Sequence, residues 1–325
     1  MKRIYQIINL VLLFLLGGCV SPLVTPTMPI STITRVPSTP TILYRTSTPT
    51  LSVNASQPTL SADEAKSLVF DLLKNNGSCE LPCLWGLTSG KTDSQALNKF
   101  MSQFGKLATP DIYVKVSDYG KVGGFFLDYR KDNVHINTDF SYYENEERNR
   151  INLLSLHGYT MQERDKDLDW LSMDISPLYG NASFNQTFAY YLLPQILSNY
   201  GPPSQVWLKP YLDDPQRSDI TWWPFILVLF YPQQGIYVEY VMPRNSTGEY
   251  FEGCPTHSEV YLAVWNPQDD IPLSQIAEKG GFGFDAEYSK SVEKATSMTL
   301  DQFYQTFKNP GNTACLETPQ GIWQP

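Results

Sequence analysis

The sequence predicts an α+β fold: two loosely repeated units, each a helix packed on an antiparallel sheet, behind a disordered stalk rich in Pro, Thr and Ser. Three observations carry that expectation. Amphipathic helical stretches begin at capping residues and end at Gly or Asn. Runs of apolar or alternating residues, bounded by turn chemistry, come after the helices as meanders of strands. The order helix, glycine stop, strands occurs twice, which divides the 325 residues into 1–18, 19–60, 61–178 and 179–325.

From about Ser21 to Leu60 the chain is dominated by Thr, Pro and Ser, as in Pro37-Ser38-Thr39-Pro40 and Thr48-Pro49-Thr50. Proline removes backbone donors and no periodic apolar face is present to bury, so an extended, solvated stalk is expected. The body opens with a helix in which Ser61-Ala62-Asp63-Glu64 forms a capping box and Ala65, Leu68, Val69, Leu72 and Leu73 share one face. Asn75-Asn76-Gly77 ends it. A compact loop from Cys79 to Leu87 leads through Gly90-Lys91-Thr92 to a second helix. Thr92 and Gln95 are its expected cap, Ala96, Leu97, Phe100, Met101 and Phe104 its stripe, and Gly105 its stop. Ile112 to Ser117, Val122 to Tyr129 and Val134 to Phe140 read as strands of a sheet with one wet face, with Ile151 to Leu156 and Trp170 to Ile175 as further candidates.

The second half repeats this plan. Leu193 to Tyr200 reads as a short helix with Pro194 in its first turn and Gly201 past its end. Gln205 to Leu208 begins a strand. Phe225 to Tyr231, Ile236 to Val241 and Glu259 to Trp265 are the strongest strands, the first two joined by Gln233-Gln234-Gly235. Phe225 to Phe230 is apolar at every position, which places it centrally, covered by a helix. A last helix, Leu300 to Phe307, has Thr299 and Gln302 as its capping box.

The N-terminus speaks to compartment. Lys2-Arg3, an apolar run to Leu16 and Leu16-Gly17-Gly18-Cys19 resemble a bacterial lipoprotein signal peptide, which implies cleavage before Cys19 and lipid on its sulfur. Ile4 to Leu16 is short of the roughly 20 residues a membrane-spanning helix needs. The implied location is the cell envelope, on the outer side of the cytoplasmic membrane or at the cell surface, with the membrane as partner through the lipid. Four other cysteines remain, Cys79, Cys83, Cys254 and Cys315, and an even number in an exported body reads as two disulfides. Three connectivities are open, and Cys79–Cys83 with Cys254–Cys315 is preferred. A formal net charge of −9 argues against nucleic acid and anionic lipid headgroups as partners.

Cys79-Glu-Leu-Pro-Cys83-Leu-Trp-Gly-Leu, then Gly90-Lys-Thr92, with Cys315-Leu-Glu-Thr-Pro319 as the close, resembles a group of uncharacterised bacterial lipoproteins. That resemblance covers most of the body and implies no activity. The unit Gly-x-Thr, helix, aromatic-Gly, strands is similar, more distantly, to small outer-membrane-assembly lipoproteins of the SmpA/OmlA type and to the repeats of β-lactamase inhibitor proteins. This second likeness implies a helix-on-sheet repeat used for protein binding.

Candidate chemistry is sparse. The three histidines, His135, His157 and His257, stand outside Gly-x-Ser-x-Gly or His-Glu-x-x-His patterns, and no phosphate loop of the Walker type is present. His135 falls at an alternating, surface position of a strand. Cys254-Pro255-Thr256-His257 with Cys79 and Cys83 has zinc-ligand spacing, but disulfides are the better reading, and no metal or other cofactor is expected. Asp165, Asp167 and Asp169 fail the calcium-loop pattern because Trp170 stands where its glycine belongs. Asp213-Asp214 and Asp269-Asp270 read as turn residues, and Gly280-Gly281-Phe282-Gly283 as a helix end. Trp207, Trp222, Trp223 and Trp265 form the aromatic group with most promise as a binding surface, against core packing as the competing explanation. The expectation is a lipid-anchored, non-enzymatic protein that binds a protein or another envelope component. A carbohydrate-binding or glycan-active lipoprotein is the alternative, and a solute-binding transport lipoprotein the third.

Overall fold

The computed structural model describes residues 60–323 except 105–107, 110–114, 118–119, 132–133, 146–149, 163–181, 213–222, 256–258, 270 and 281–283. Cys19, the stalk to residue 59, Trp222, His257, Asp165, Asp167, Asp169, Asp213, Asp214 and the strand candidate Trp170 to Ile175 lie outside the described residues.

Helix α1 (Ala62–Asn75) starts at the reciprocal cap expected from its sequence. The Glu64 amide donates to the Ser61 hydroxyl at 3.3 Å and the Ser61 amide to the Glu64 carboxylate at 2.9 Å. Asn76 closes the helix in the left-handed region (φ 55°), a conformation that asparagine tolerates. Its buried side chain organises the adjoining loop. Nδ2 donates to the carbonyls of Cys79 (2.7 Å) and Cys83 (2.8 Å), while Oδ1 accepts from the Trp85 amide (3.2 Å). The hairpin β1 (Cys83–Leu84) and β2 (Leu87–Thr88) and the Cys79–Cys83 bridge complete this loop, and Trp85 stacks on Phe140 with centroids 5.3 Å apart.

Helix α2 (Ser94–Ser102) differs from expectation at its start. The cap is Asp93, whose carboxylate accepts from the Ala96 amide at 2.7 Å, because the Thr92 hydroxyl is already taken by the Thr88 amide at 2.9 Å. Next come β3 (Ala108–Thr109), β4 (Lys115–Ser117), β5 (Gly120–Lys131), β6 (Val134–Asn145) and β7 (Arg150–Gln162). β6 and β7 run well past their last expected residues. Paired neighbours satisfy the backbone there and carry the ladder through polar sequence.

Two short helices, α3 (Ala182–Thr187) and α4 (Leu193–Tyr200), lead to β8 (Gln205–Pro210), β9 (Pro224–Tyr231), β10 (Ile236–Thr247), β11 (Tyr250–Gly253) and β12 (Glu259–Trp265). The chain ends with α5 (Leu273–Gly280), β13 (Lys290–Ser291), α6 (Val292–Thr296), α7 (Leu300–Phe307) and β14 (Leu316–Pro319). The Cys315-Leu-Glu-Thr-Pro319 segment, which the sequence presents only as a motif, is strand β14 paired with β11 and bridged to the body by Cys254–Cys315.

The architecture is α+β, as expected; apart from the separate β1–β2 hairpin, the described strands form one antiparallel sheet in the order β13-β8-β9-β10-β12-β7-β6-β5-β3, with β4 on β5 and β11–β14 extending from β10. The segments 61–178 and 179–325, expected as two loosely repeated units, meet in this sheet where β7 pairs with β12. At this seam Leu153, Leu154 and Leu156 of β7 are buried, with side chains on both faces of the sheet.

Alternate residues face opposite sides of the sheet. One face, built from residues such as Phe140, Leu156, Leu227, Leu229, Val238 and Leu262, lies under α1, α2, α4, α6 and α7 in the main core. The second face carries Leu153, Ile226, Val228, Phe230, Tyr237, Ala263 and Trp265, packed with Ile276 of α5. β9 is thus buried on both sides, as its unbroken apolar run requires.

Candidate functional site

The second face changes character along its central row. Asp139 of β6, His157 of β7, Tyr261 of β12 and Glu239 of β10 are successive cross-strand partners, and the row continues through Val228 to Trp207 of β8. Directly opposed residues bring their Cβ atoms to about 4.5–5.5 Å, so this register alone gathers one imidazole, two carboxylates and a phenol. Glu259, two positions before Tyr261 and on the same face, adds a third carboxylate.

The His157 ring lies parallel to Tyr261 (3.6 Å between centroids, 6° between planes) and stacks on Tyr159 at 4.6 Å. Its Nε2 is 2.5 Å from Glu259 Oε1 and its Nδ1 is 3.4 Å from Asp139 Oδ2. The side chains of His157 and Glu259 are 17% and 14% exposed and that of Asp139 is 39% exposed, so the cluster opens to solvent on the Asp139 side. Burial by itself pushes the imidazole down, but the hydrogen bonds and charges of Asp139 and Glu259 outweigh it and hold His157 above its ordinary value of 6.5.

Glu239 is the buried carboxyl of the row, 1% exposed, and accepts from the Tyr237 hydroxyl at 2.5 Å. Burial, together with the Glu239 charge, raises Tyr237 well above its usual range; burial, with Glu259 and Glu239, raises Tyr261. Both phenols stay protonated at physiological pH and act as donors. His157, Asp139 and Glu259 with the Tyr159 and Tyr261 rings make a partly exposed polar, aromatic-lined patch suited to hydrogen-bonding groups, with Glu239 and Tyr237 buried beneath it.

The tryptophans expected as a binding surface separate. Trp265 is fully buried, stacked on Phe230 at 5.8 Å beneath α5, because it is the last inward residue of β12; it is core and not surface. Trp207 is half-buried on the same face as His157, edge-on to Phe284, with its indole donating to Gln205 at 2.9 Å. Trp223, also half-buried, precedes β9, and its carbonyl accepts from the Arg244 amide at 2.7 Å. Trp207 pairs with Val228, five positions further along, roughly 16 Å from Trp223 at the strand rise.

Among the described residues one acidic and cysteine cluster has metal-like spacing, Glu252 with Cys254 and Cys315, but its sulfurs are joined in a disulfide and offer no thiolate. The zinc alternative drawn from Cys79, Cys83 and Cys254 fails for the same reason. Sequence reading misses the His157 cluster because its members are spread along the chain from Asp139 to Tyr261. The available signals are Glu239 alone within Ile236-Tyr-Val-Glu-Tyr-Val241 and His157 after Leu153-Leu-Ser-Leu, charges placed inside apolar strands. No protein-family model, curated protein or solved structure matches this chain.

Proposed function

We propose that this chain is an exported bacterial lipoprotein, cleaved before Cys19 and anchored by lipid on that sulfur, whose body binds a protein of the cell envelope without catalysing a reaction. The supporting observation is the cysteine arithmetic. The chain has five cysteines; Cys79–Cys83 and Cys254–Cys315 are bridged, which leaves Cys19, directly behind Leu16-Gly17-Gly18. Bridged pairs suit the oxidising compartment that such a leader addresses. The Pro/Thr/Ser segment then acts as a stalk, and the resemblance to lipoproteins sharing the Cys79–Leu87 and Cys315–Pro319 motifs belongs to the same reading. Binding is assigned to the sheet face around His157, since helices cover the other face.

The test is Cys19→Ser with labelled fatty acid and membrane fractionation. Loss of label and release from the membrane are expected; unchanged acylation overturns the anchor. Pull-down from detergent-solubilised envelopes with wild type, Tyr159→Ala and Trp207→Ala then tests the surface, and identical partners in all three overturn its assignment. A second reading, glycan binding, is favoured by Asp139 and Glu259 beside the stacked Tyr159 and Tyr261. Retention on purified envelope polysaccharide that Tyr159→Ala abolishes would select it.

A further inference from the structure

We infer that His157 is a protonation-controlled clasp that holds β6, β7 and β12 together as an imidazolium and lets go of one strand when it loses its proton. The inference stands on geometry and is independent of the proposed anchor and partner. Both ring nitrogens face carboxylates, Nε2 toward Glu259 of β12 and Nδ1 toward Asp139 of β6. A neutral imidazole carries one N–H, so it donates to one carboxylate and turns a lone pair toward the other. Only the charged ring satisfies both contacts; the one to Glu259 crosses the β7–β12 seam that joins the two halves of the sheet, and the one to Asp139 ties β7 to β6.

The groups around the ring set the direction of the response. β6 presents Asp139, β7 presents Tyr159, β12 presents Glu259 and Tyr261, and β10 presents Glu239 and Tyr237. Tyr261 and Tyr237 are shifted upward and do not titrate in the relevant range. With the imidazolium present, one positive charge sits between the Asp139 and Glu259 carboxylates; without it, the two face the ring with no cation between them. Because the folded imidazole is held above 6.5, its contribution is fully present below that value and is lost as the pH rises through the folded value. The seam is therefore tighter while the imidazole is protonated and loosens as the pH rises through its folded value.

Histidine-selective NMR on the full chain in detergent tests the clasp, since the chain has three histidines and His157→Phe identifies the resonance by its disappearance. The expected result is a titration midpoint above 6.5 that Asp139→Asn and Glu259→Gln each lower. A wild-type midpoint at or below 6.5, or one that neither substitution moves, overturns the inference. Thermal melts from pH 6 to 9 give a second readout, in which wild type loses roughly 3–5 °C more than His157→Phe for each factor-of-ten shift in the imidazole equilibrium. Parallel pH profiles for the two proteins overturn it as well. If His157→Phe does not fold, the response of the wild-type resonance to Asp139→Asn and Glu259→Gln decides.

Discussion

The Tyr191 hydroxyl accepts the Trp85 indole N–H at 3.1 Å and donates to Asn76 Oδ1 at 3.0 Å, tying the Cys79–Cys83 loop to the chain just before α4. All three side chains are buried, and burial, the largest influence on Tyr191, raises it well above its ordinary range, so the phenol remains a donor. Tyr191→Phe keeps the ring but leaves an indole N–H and an amide oxygen short of a partner. A loss of about 1–3 kcal/mol is expected, read as a lower melting temperature. Gln195→Ala, on the exposed side of α4, should stay within about 0.5 kcal/mol in the same assay.

The two disulfides should contribute unequally. Cys254–Cys315 spans 61 residues and Cys79–Cys83 only four. On the chain-entropy account the long loop contributes about 4 kcal/mol and the short one about 2 kcal/mol. Cys254→Ser with Cys315→Ser should therefore lower the melting temperature more than the corresponding pair at Cys79 and Cys83. Without the bridge, β14 is held by non-covalent contacts that can open, its pairing with β11 and the bonds of the Thr318 hydroxyl with the Ala295 carbonyl and the Trp323 indole. Early cleavage of the tail in limited proteolysis is the expected signature, and equal melting curves for the two double variants would count against the loop-length account.

The features legible in the sequence are local. The caps at Ser61 and Thr299, the stop at Gly201 and the strands expected from Phe225 and Glu259 depend on neighbours within a few residues, and all are present. The cap at Thr92 is not formed because a turn reaching four residues back, itself local, claims the hydroxyl for the Thr88 amide. The joining of the two halves, and with it the row Asp139, His157, Tyr261, Glu239, depends on which strands become neighbours. Register between segments as distant in the chain as β7 and β12 leaves no trace in local spacing.

Trp265 and Trp207 share a face of the sheet but should answer truncation differently. Trp265 is 0% exposed, packed among Phe230, Leu153 and Ile276, so Trp265→Ala opens a cavity worth about 3–5 kcal/mol. Trp207 is half-buried and touches Phe284 by its edge, and its truncation should cost clearly less. Chemical denaturation of both variants measures the contrast. Comparable losses would show that Trp207 belongs to the core as fully as Trp265 does, and would remove it from the binding face.

Gly158 offers the sharpest test of how tightly the helical layer sits on the sheet. A Cβ at this position would lie 2.2 Å from Phe188 Cε1, and the ring, fully buried itself, has nowhere to swing. Gly158 comes directly after His157 on β7 and points to the opposite face, so the strand cannot retreat from Phe188 without moving the imidazole away from Glu259 and Asp139. Gly158→Ala should therefore destabilise by about 1–3 kcal/mol and also shift the His157 resonance. Phe188→Leu makes room, so the double variant should be more stable than the sum of the two single losses implies, with a coupling of about 0.5–3 kcal/mol. Strict additivity in that cycle would mean that the β7 backbone yields freely under the helices, and then the close packing at Gly158 would have no part in holding the histidine in place.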